Sequence, residues 1–192
     1  MSQAAWAEEF ARILLRVPLP RRWMHSQGVA AQARSLAPVL GEDADLLEAA
    51  AWLHDIGYSP KLTGTGFHPL DGARYLRDVQ HARPVLCRLV ANHTGALIEA
   101  EERGLAGPLA AEFPAADLLL SDALTFCDLT TGPDGQTLSV EERLADIRAR
   151  YGPGHVVSRA IARSSGQLRD AVTAIRDYAD AELCCTASAS GY

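Results

Sequence analysis

Apolar residues recur at intervals of three and four along most of the chain, the period of an α-helix that buries one face. Trp6, Phe10, Ile13 and Leu14 form such a face between about Ser2 and Val17, and Pro18 and Pro20 end it. A second helix is expected from about Arg21 to Leu40, stopping at Gly41, with His25, Val29, Ala33 and Leu36 on one side. A third opens near Asp43, an N-cap type of residue, and runs through Leu47 and Ala50 to His54. Residues Tyr58 to Phe67 are rich in Gly, Thr and Pro and read as a loop hanging over the end of that helix. His68 and Pro69 open a fourth helix with Leu70, Ala73, Leu76 and Val79 inward, and Pro84 opens a fifth whose row is Val85, Leu89, His93. Leu97 to Arg103 is a short helix followed by a turn marked by Gly104, Gly107 and Pro108. Pro114 begins a long helix with Leu120, Leu124 and Asp128 spaced by four. After a loop from Thr130 to Gly135, Ser139-Val140-Glu141-Glu142 has the form of a capping box and starts another helix. The last runs from about His155, with Ala160, Ile161, Leu168, Val172 and Ile175 inward.

No strand-like alternation of useful length, no internal repeat and no low-complexity block interrupts this pattern. The expectation is an all-α, single-domain helical bundle of roughly eight or nine helices. It spans residues 1–183, with a loose, small and polar tail at 184–192.

A net charge of −6 argues against a general nucleic-acid binder, which needs a basic surface, but leaves room for a small phosphorylated substrate. No apolar run is long enough for a membrane span, and Glu8 and Glu9 stand where a signal peptide would be apolar. Cys87 and Cys127 fall on apolar helical faces, and Cys184-Cys185 has no partner spacing for zinc or a disulfide framework. A cytoplasmic setting fits these features.

The chemistry lies where apolar stripes end on polar residues. His54 continues the stripe of Leu47 and Ala50, Asp55 follows it, and Gly57 can end the helix. A buried carboxylate is costly without positive charge, and no Lys or Arg lies within Ala49–Gly57. A divalent metal answers this, since His nitrogen and Asp oxygen are both ligands. His25 and Asp128 stand on apolar faces in the same way, with Asp122 as a rival to Asp128 that lies off the Leu120–Leu124 row.

His54-Asp55-Ile56-Gly57, with His25 before it and Asp128 after it, resembles the pattern of the HD superfamily of metal-dependent phosphohydrolases over residues 21–134. The resemblance implies His25, His54, Asp55 and Asp128 as metal ligands. It implies hydrolysis of a phosphate ester of a small molecule, such as a nucleotide or related phosphometabolite, by a metal-activated water. A ligand set of His and Asp without Cys suits Mn, Fe, Co, Ni or Mg. His68 and His93 are candidates for a general acid, a phosphate binder or ligands of a second metal. The chain has Asn92-His93 where many HD relatives carry paired histidines. Tyr58 follows the glycine where a signalling-phosphodiesterase branch has Lys, which disfavours cyclic-dinucleotide hydrolysis. Arg21, Arg22 and Lys61 are candidate phosphate-neutralising cations, and His81 and His155 read as surface residues. Two other readings are a diiron oxygenase on the same fold, and a non-catalytic ligand sensor, which should have lost a ligand.

Overall fold

The computed structural model describes the backbone of residues 1–189 and the side chains of residues 1–184. Among the described residues there are eleven α-helical segments and no strand, with one isolated bridge between Thr131 and Thr137. The helices are α1 (Gln3–Leu15), α2 (Pro20–Ser35), α3 (Ala37–Leu40), α4 (Ala44–Leu53), α5 (His68–Asp78), α6 (Pro84–Asn92), α7 (Ala96–Arg103), α8 (Ala106–Glu112), α9 (Leu118–Leu129), α10 (Val140–Tyr151) and α11 (Val156–Ala189).

The count slightly exceeds eight or nine for two physical reasons. Pro38 has no N–H to donate to Arg34, so the expected long second helix breaks at Leu36 and restarts as the one-turn α3. Gly107 and Pro108, taken above as a turn, instead occupy the first turn of α8, where a missing N–H costs nothing. The helix expected from Pro114 starts later, at Leu118, because the Asp117 carboxylate accepts from Leu120 N and caps it. Asp43 precedes α4 as expected but makes no capping bond, whereas Ser139 and Glu142 form the full capping box of α10. α11 continues as helix to Ala189, and residues 190–192 of the expected tail lie outside the described residues.

α4 is the central rod. Seven of its residues, Leu46, Leu47 and Ala49 to Leu53, are buried, so it is apolar all round, as a helix must be when others enclose it. α1 and α2 pack along it, α9 and α6 close it from other sides, and α5 packs on α6. Close approach of α1 to α4 comes from small residues: Ala4, Ala7 and Ala11 face inward with Leu14 and Leu15. This corrects the stripe read from large residues, since Ile13 is 51% exposed while the alanines do the packing. Val79 is likewise exposed, because α5 ends at Asp78 and Val79 only caps it.

A second, smaller apolar cluster joins Leu129 of α9 to Leu144 and Ile147 of α10 and to Ile161, Leu168 and Val172 of α11. α10 and α11 therefore meet over the far end of α9. Among the described residues, no helix is long and apolar enough to cross a membrane.

Candidate metal centre

Five helices deliver their chemistry to one place. His25 lies within α2, His54 caps α4 and is followed by Asp55, His68 begins α5, His93 caps α6 and Asp128 stands one residue before the end of α9. His25, His54, Asp55, His93 and Asp128 are buried, and the His68 side chain is 11% exposed.

The six fall into two adjoining groups. Ligand-type atoms of His25, His54 and Asp128 lie within 4.8 Å of one another, and so do those of Asp55, His68 and His93. The groups touch through neighbours in sequence, His54 Nε2 standing 3.6 Å from Asp55 Oδ2. Three of the four residues expected to converge are therefore together, while Asp55 is grouped with the two histidines whose role was open.

Three imidazoles have one nitrogen committed to the backbone. His25 Nδ1 lies 3.0 Å from the Gly132 carbonyl, His54 Nδ1 2.7 Å from Ala51 O and His93 Nδ1 2.7 Å from Val90 O. A carbonyl only accepts, so each Nδ1 carries hydrogen and the neutral ring presents Nε2 as a bare acceptor. The His54 Nε2 is fully buried and has no hydrogen-bond partner. His25 Nε2 faces Asp128 Oδ1 at 3.0 Å, and His93 Nε2 faces His68 Nε2 at 3.2 Å. Arg143 Nη2 lies 3.4 Å from His25 Nε2 and 3.3 Å from Asp128 Oδ1, and His68 can donate from Nε2 to His93, so His54 Nε2 is the one imidazole nitrogen of the three left with neither a donor nor a cation. This arrangement, with the far nitrogen held by a carbonyl, is the one metal-ligating histidines adopt, and the donor set fits a divalent ion.

The carboxylates are not short of positive charge, contrary to what Ala49–Gly57 alone suggests. Arg22 Nη1, from α2, reaches Asp55 Oδ2 at 2.6 Å while its guanidinium lies 3.4 Å over the Tyr58 ring. Burial alone would raise the Asp55 carboxyl, but Arg22 and the flanking histidines outweigh it and hold it well below the usual carboxylate range. Asp128 accepts from Thr94 Oγ1 at 2.7 Å and from Arg143 Nη2 at 3.3 Å, and it too is held low against burial. The case for a metal thus rests on the imidazole nitrogens rather than on an uncompensated carboxylate. Burial also pushes His68 and His93 below the ordinary imidazole range, so both are neutral near pH 7, as ligands must be.

All of these groups except His54, which lies behind them, line a cleft of about 550 Å³, its open mouth included. Opposite the ligands its wall is Ile147, Arg150 and Tyr151 from α10 with Val157 and Ile161 from α11. Of the loop from Tyr58 to Phe67 only Tyr58 lines it, stacked on His68 at 3.9 Å. The remainder of that loop turns away and is tied to Asp71, so it does not overhang the site. Lys61 borders a separate depression with Asp71 and Arg74, Arg21 pairs with Asp134, and Arg22 alone of the three cations touches a ligand. Asp122 is half-buried and no part of the cavity lining.

A family model described as HD domain matches residues 22–147, more than half of the 192 residues. The chain belongs to the HD domain family. HD domains are generally metal-dependent hydrolases that bind divalent metals, and the buried His and Asp groups here could hold such an ion. No curated protein and no solved structure matches the chain.

Arg143, Arg150, Thr94 and Tyr151 belong to the site and were not singled out in the HD pattern. A signal for one existed: Arg143 lies three after Val140 and four before Ile147, a charge set within an apolar stripe. Arg150 and Tyr151 continue that face at helical spacing, whereas nothing about Thr94 in sequence points to Asp128.

Proposed function

We propose that the protein is a metal-dependent phosphohydrolase acting on a phosphate ester of a small molecule, of the nucleotide or phosphometabolite class. The observation that carries this reading is the set of buried imidazoles, each holding Nδ1 on a backbone carbonyl and turning Nε2 toward the carboxylates and His68, beside arginines that enter the same cavity. His25, His54 and Asp128 would hold one ion, and Asp55, His68 and His93 a second. A bound divalent ion supplies a hydroxide-like nucleophile by lowering the pKa of water from about 15.7 toward about 7, and it polarises the phosphoryl oxygen.

The chain's own residues do the rest. Arg22 is fixed by Asp55 and Tyr58, so its remaining N–H groups meet an entering phosphoryl oxygen without reorganisation. Ile147, Val157, Ile161 and the Tyr151 ring offer an apolar face to the body of the substrate and keep water from that side. His93 is neutral, with Nδ1 on Val90 O, which suits it to bind an ion better than to deliver a proton.

The test is metal analysis of the purified protein together with a phosphate-release screen over nucleotides and sugar phosphates. Phosphate release that depends on the bound metal supports the proposal; two irons with oxygen uptake and no phosphate release overturns it. That second outcome is the diiron oxygenase reading, which the presence of the extra ligands His68 and His93 favours. A non-catalytic sensor is disfavoured, because every residue of the HD ligand pattern is in place.

A further inference from the structure

A second cavity, of about 400 Å³, adjoins the first and is lined by Arg21, Arg22, His25, Pro133, Arg143 and Arg150. Four of these six carry full positive charge and none is acidic. Arg22, His25, Arg143 and Arg150 line both cavities, so the two spaces share a wall at the ligand end. We infer that this arginine pocket receives a second anionic group of the substrate, so that the natural substrate carries two phosphates, or a phosphate and a carboxylate, one at the metal centre and one here. The inference rests on the phosphohydrolase reading and adds to it a substrate class.

Each arginine is braced from behind. Arg21 forms a two-point pair with Asp134 at 2.8 and 3.0 Å, Arg22 reaches Asp55, Arg143 reaches Asp128 and Asp146, and Arg150 bonds Asp146. Bracing by carboxylates outside the lining fixes the forks and leaves further N–H donors of each for a ligand. Arg143 is the most telling. Its side chain is 7% exposed, and its Nε is buried with no partner. A buried donor left unmatched is costly, and an oxygen-rich anion in the pocket would match it. The charge balance points the same way. Four carboxylates neutralise four arginines in the metal-free chain, but Asp55 and Asp128 are the residues that ions would claim. Arg22 then loses its counter-charge, Arg143 and Arg150 are left to share Asp146, and the pocket becomes net positive.

The pocket is tested by calorimetric titration of chelator-treated protein and of metal-loaded protein with inorganic pyrophosphate, at low and at raised salt. Wild type is expected to bind in both forms, more tightly with metal, and more weakly as salt screens the arginines. Arg150→Gln and Arg21→Gln should each weaken binding about tenfold or more with metal content unchanged, since neither touches a ligand atom. Lys61→Gln, in its separate depression, should bind as wild type does. With substrates, a nucleoside bisphosphate should show a KM at least tenfold below the matching monophosphate, and Arg150→Gln should erase that difference. Pyrophosphate binding unchanged in both arginine variants overturns the inference even if phosphate is released. Pyrophosphate binding that depends on these arginines, in a protein that never releases phosphate, keeps the pocket and sinks the hydrolase reading instead.

Discussion

His25 and Asp128 lie within α2 and α9 and His54 caps α4, three helices that pack directly on one another, whereas Asp55, His68 and His93 come from the joints after α4, before α5 and after α6. The first group is also held more fully by its surroundings. Its carboxylate takes donors from Thr94 and Arg143 besides facing His25, while Asp55 has one close donor, Arg22, with His68 3.4 Å away. The first group is thus a product of helix packing, and the second a product of how α4, α5 and α6 are joined. The joint is tight: a Cβ on Gly57 would lie 2.0 Å from His68 O and 2.7 Å from Gly72 N. The corresponding close point for the first group is Gly28, where a Cβ would meet Gly135 O at 2.6 Å.

The comparison breaks most severely at Asp55. Asp55→Ala removes the carboxylate of the second group and strips Arg22 of its partner. Phosphate release should fall by more than the roughly 100-fold that loss of an outer partner of a metal ligand costs. Circular dichroism should still report a folded helical protein, though a less stable one, because Arg22 is left without its carboxylate. Full activity and undiminished metal content in this variant would refute its role.

Gly57→Ala and Gly28→Ala should separate the two groups. A Cβ on Gly57 meets backbone, and one on Gly28 meets the buried Thr131 methyl as well as the Gly135 backbone, so each should destabilise by about 3 kcal/mol, the upper end for overpacking. Gly57→Ala should cost the ion of the second group first, and Gly28→Ala that of the first, read by metal titration alongside thermal melts. Equal loss of both ions from either variant would mean the groups are one cooperative unit.

His93→Gln is gentler, since Gln keeps an amide of similar reach. The metal-to-protein ratio should drop from two toward one with the fold intact. An unchanged ratio with activity down about 10²–10⁴-fold would make His93 an acid catalyst instead, and no change in either would remove it from the site.

The smallest effect is on pH. Burial depresses the folded pKa of His68 and of His93 below the ordinary imidazole value of about 6.5. Below 6.5 the unfolded chain takes up protons that the folded chain refuses. The stability these groups contribute is therefore fully present above pH 6.5 and is lost as pH falls from there through the folded values. The melting temperature of chelator-treated protein should decline on acidification below about pH 6.5, and the decline should be shallower in the His68→Gln, His93→Gln double variant. Equal slopes would show that neither imidazole is coupled to folding.

How much of this was legible in the sequence follows the same division. Helices α2, α4 and α9 carry apolar stripes that begin on His25 and end on His54 and Asp128, so period and position, with the family resemblance, brought out the residues of the first group. Asp55 could be named, but its grouping with His68 and His93 could not, because the angle at Gly57 is a matter of three-dimensional contact. Arg22 was visible as a candidate cation, yet its pairing with Asp55, 33 residues away, depends on α2 lying along α4. The α10 face was missed because arginines in a helix read as solvated unless the apolar residues between them are weighed. The loop after Tyr58 was misplaced because composition marks a loop without saying which way it turns.

That loop has a further consequence. Asp71 gathers the backbone N–H groups of Gly64, Thr65 and Gly66 and the Thr65 hydroxyl onto one buried carboxylate. A segment whose glycines suggest a swinging flap is in effect a latch already thrown. The glycine-bearing turn that adjoins the cavity wall is a different one, Gly152, Pro153 and Gly154, which joins Tyr151 to the helix carrying Val157.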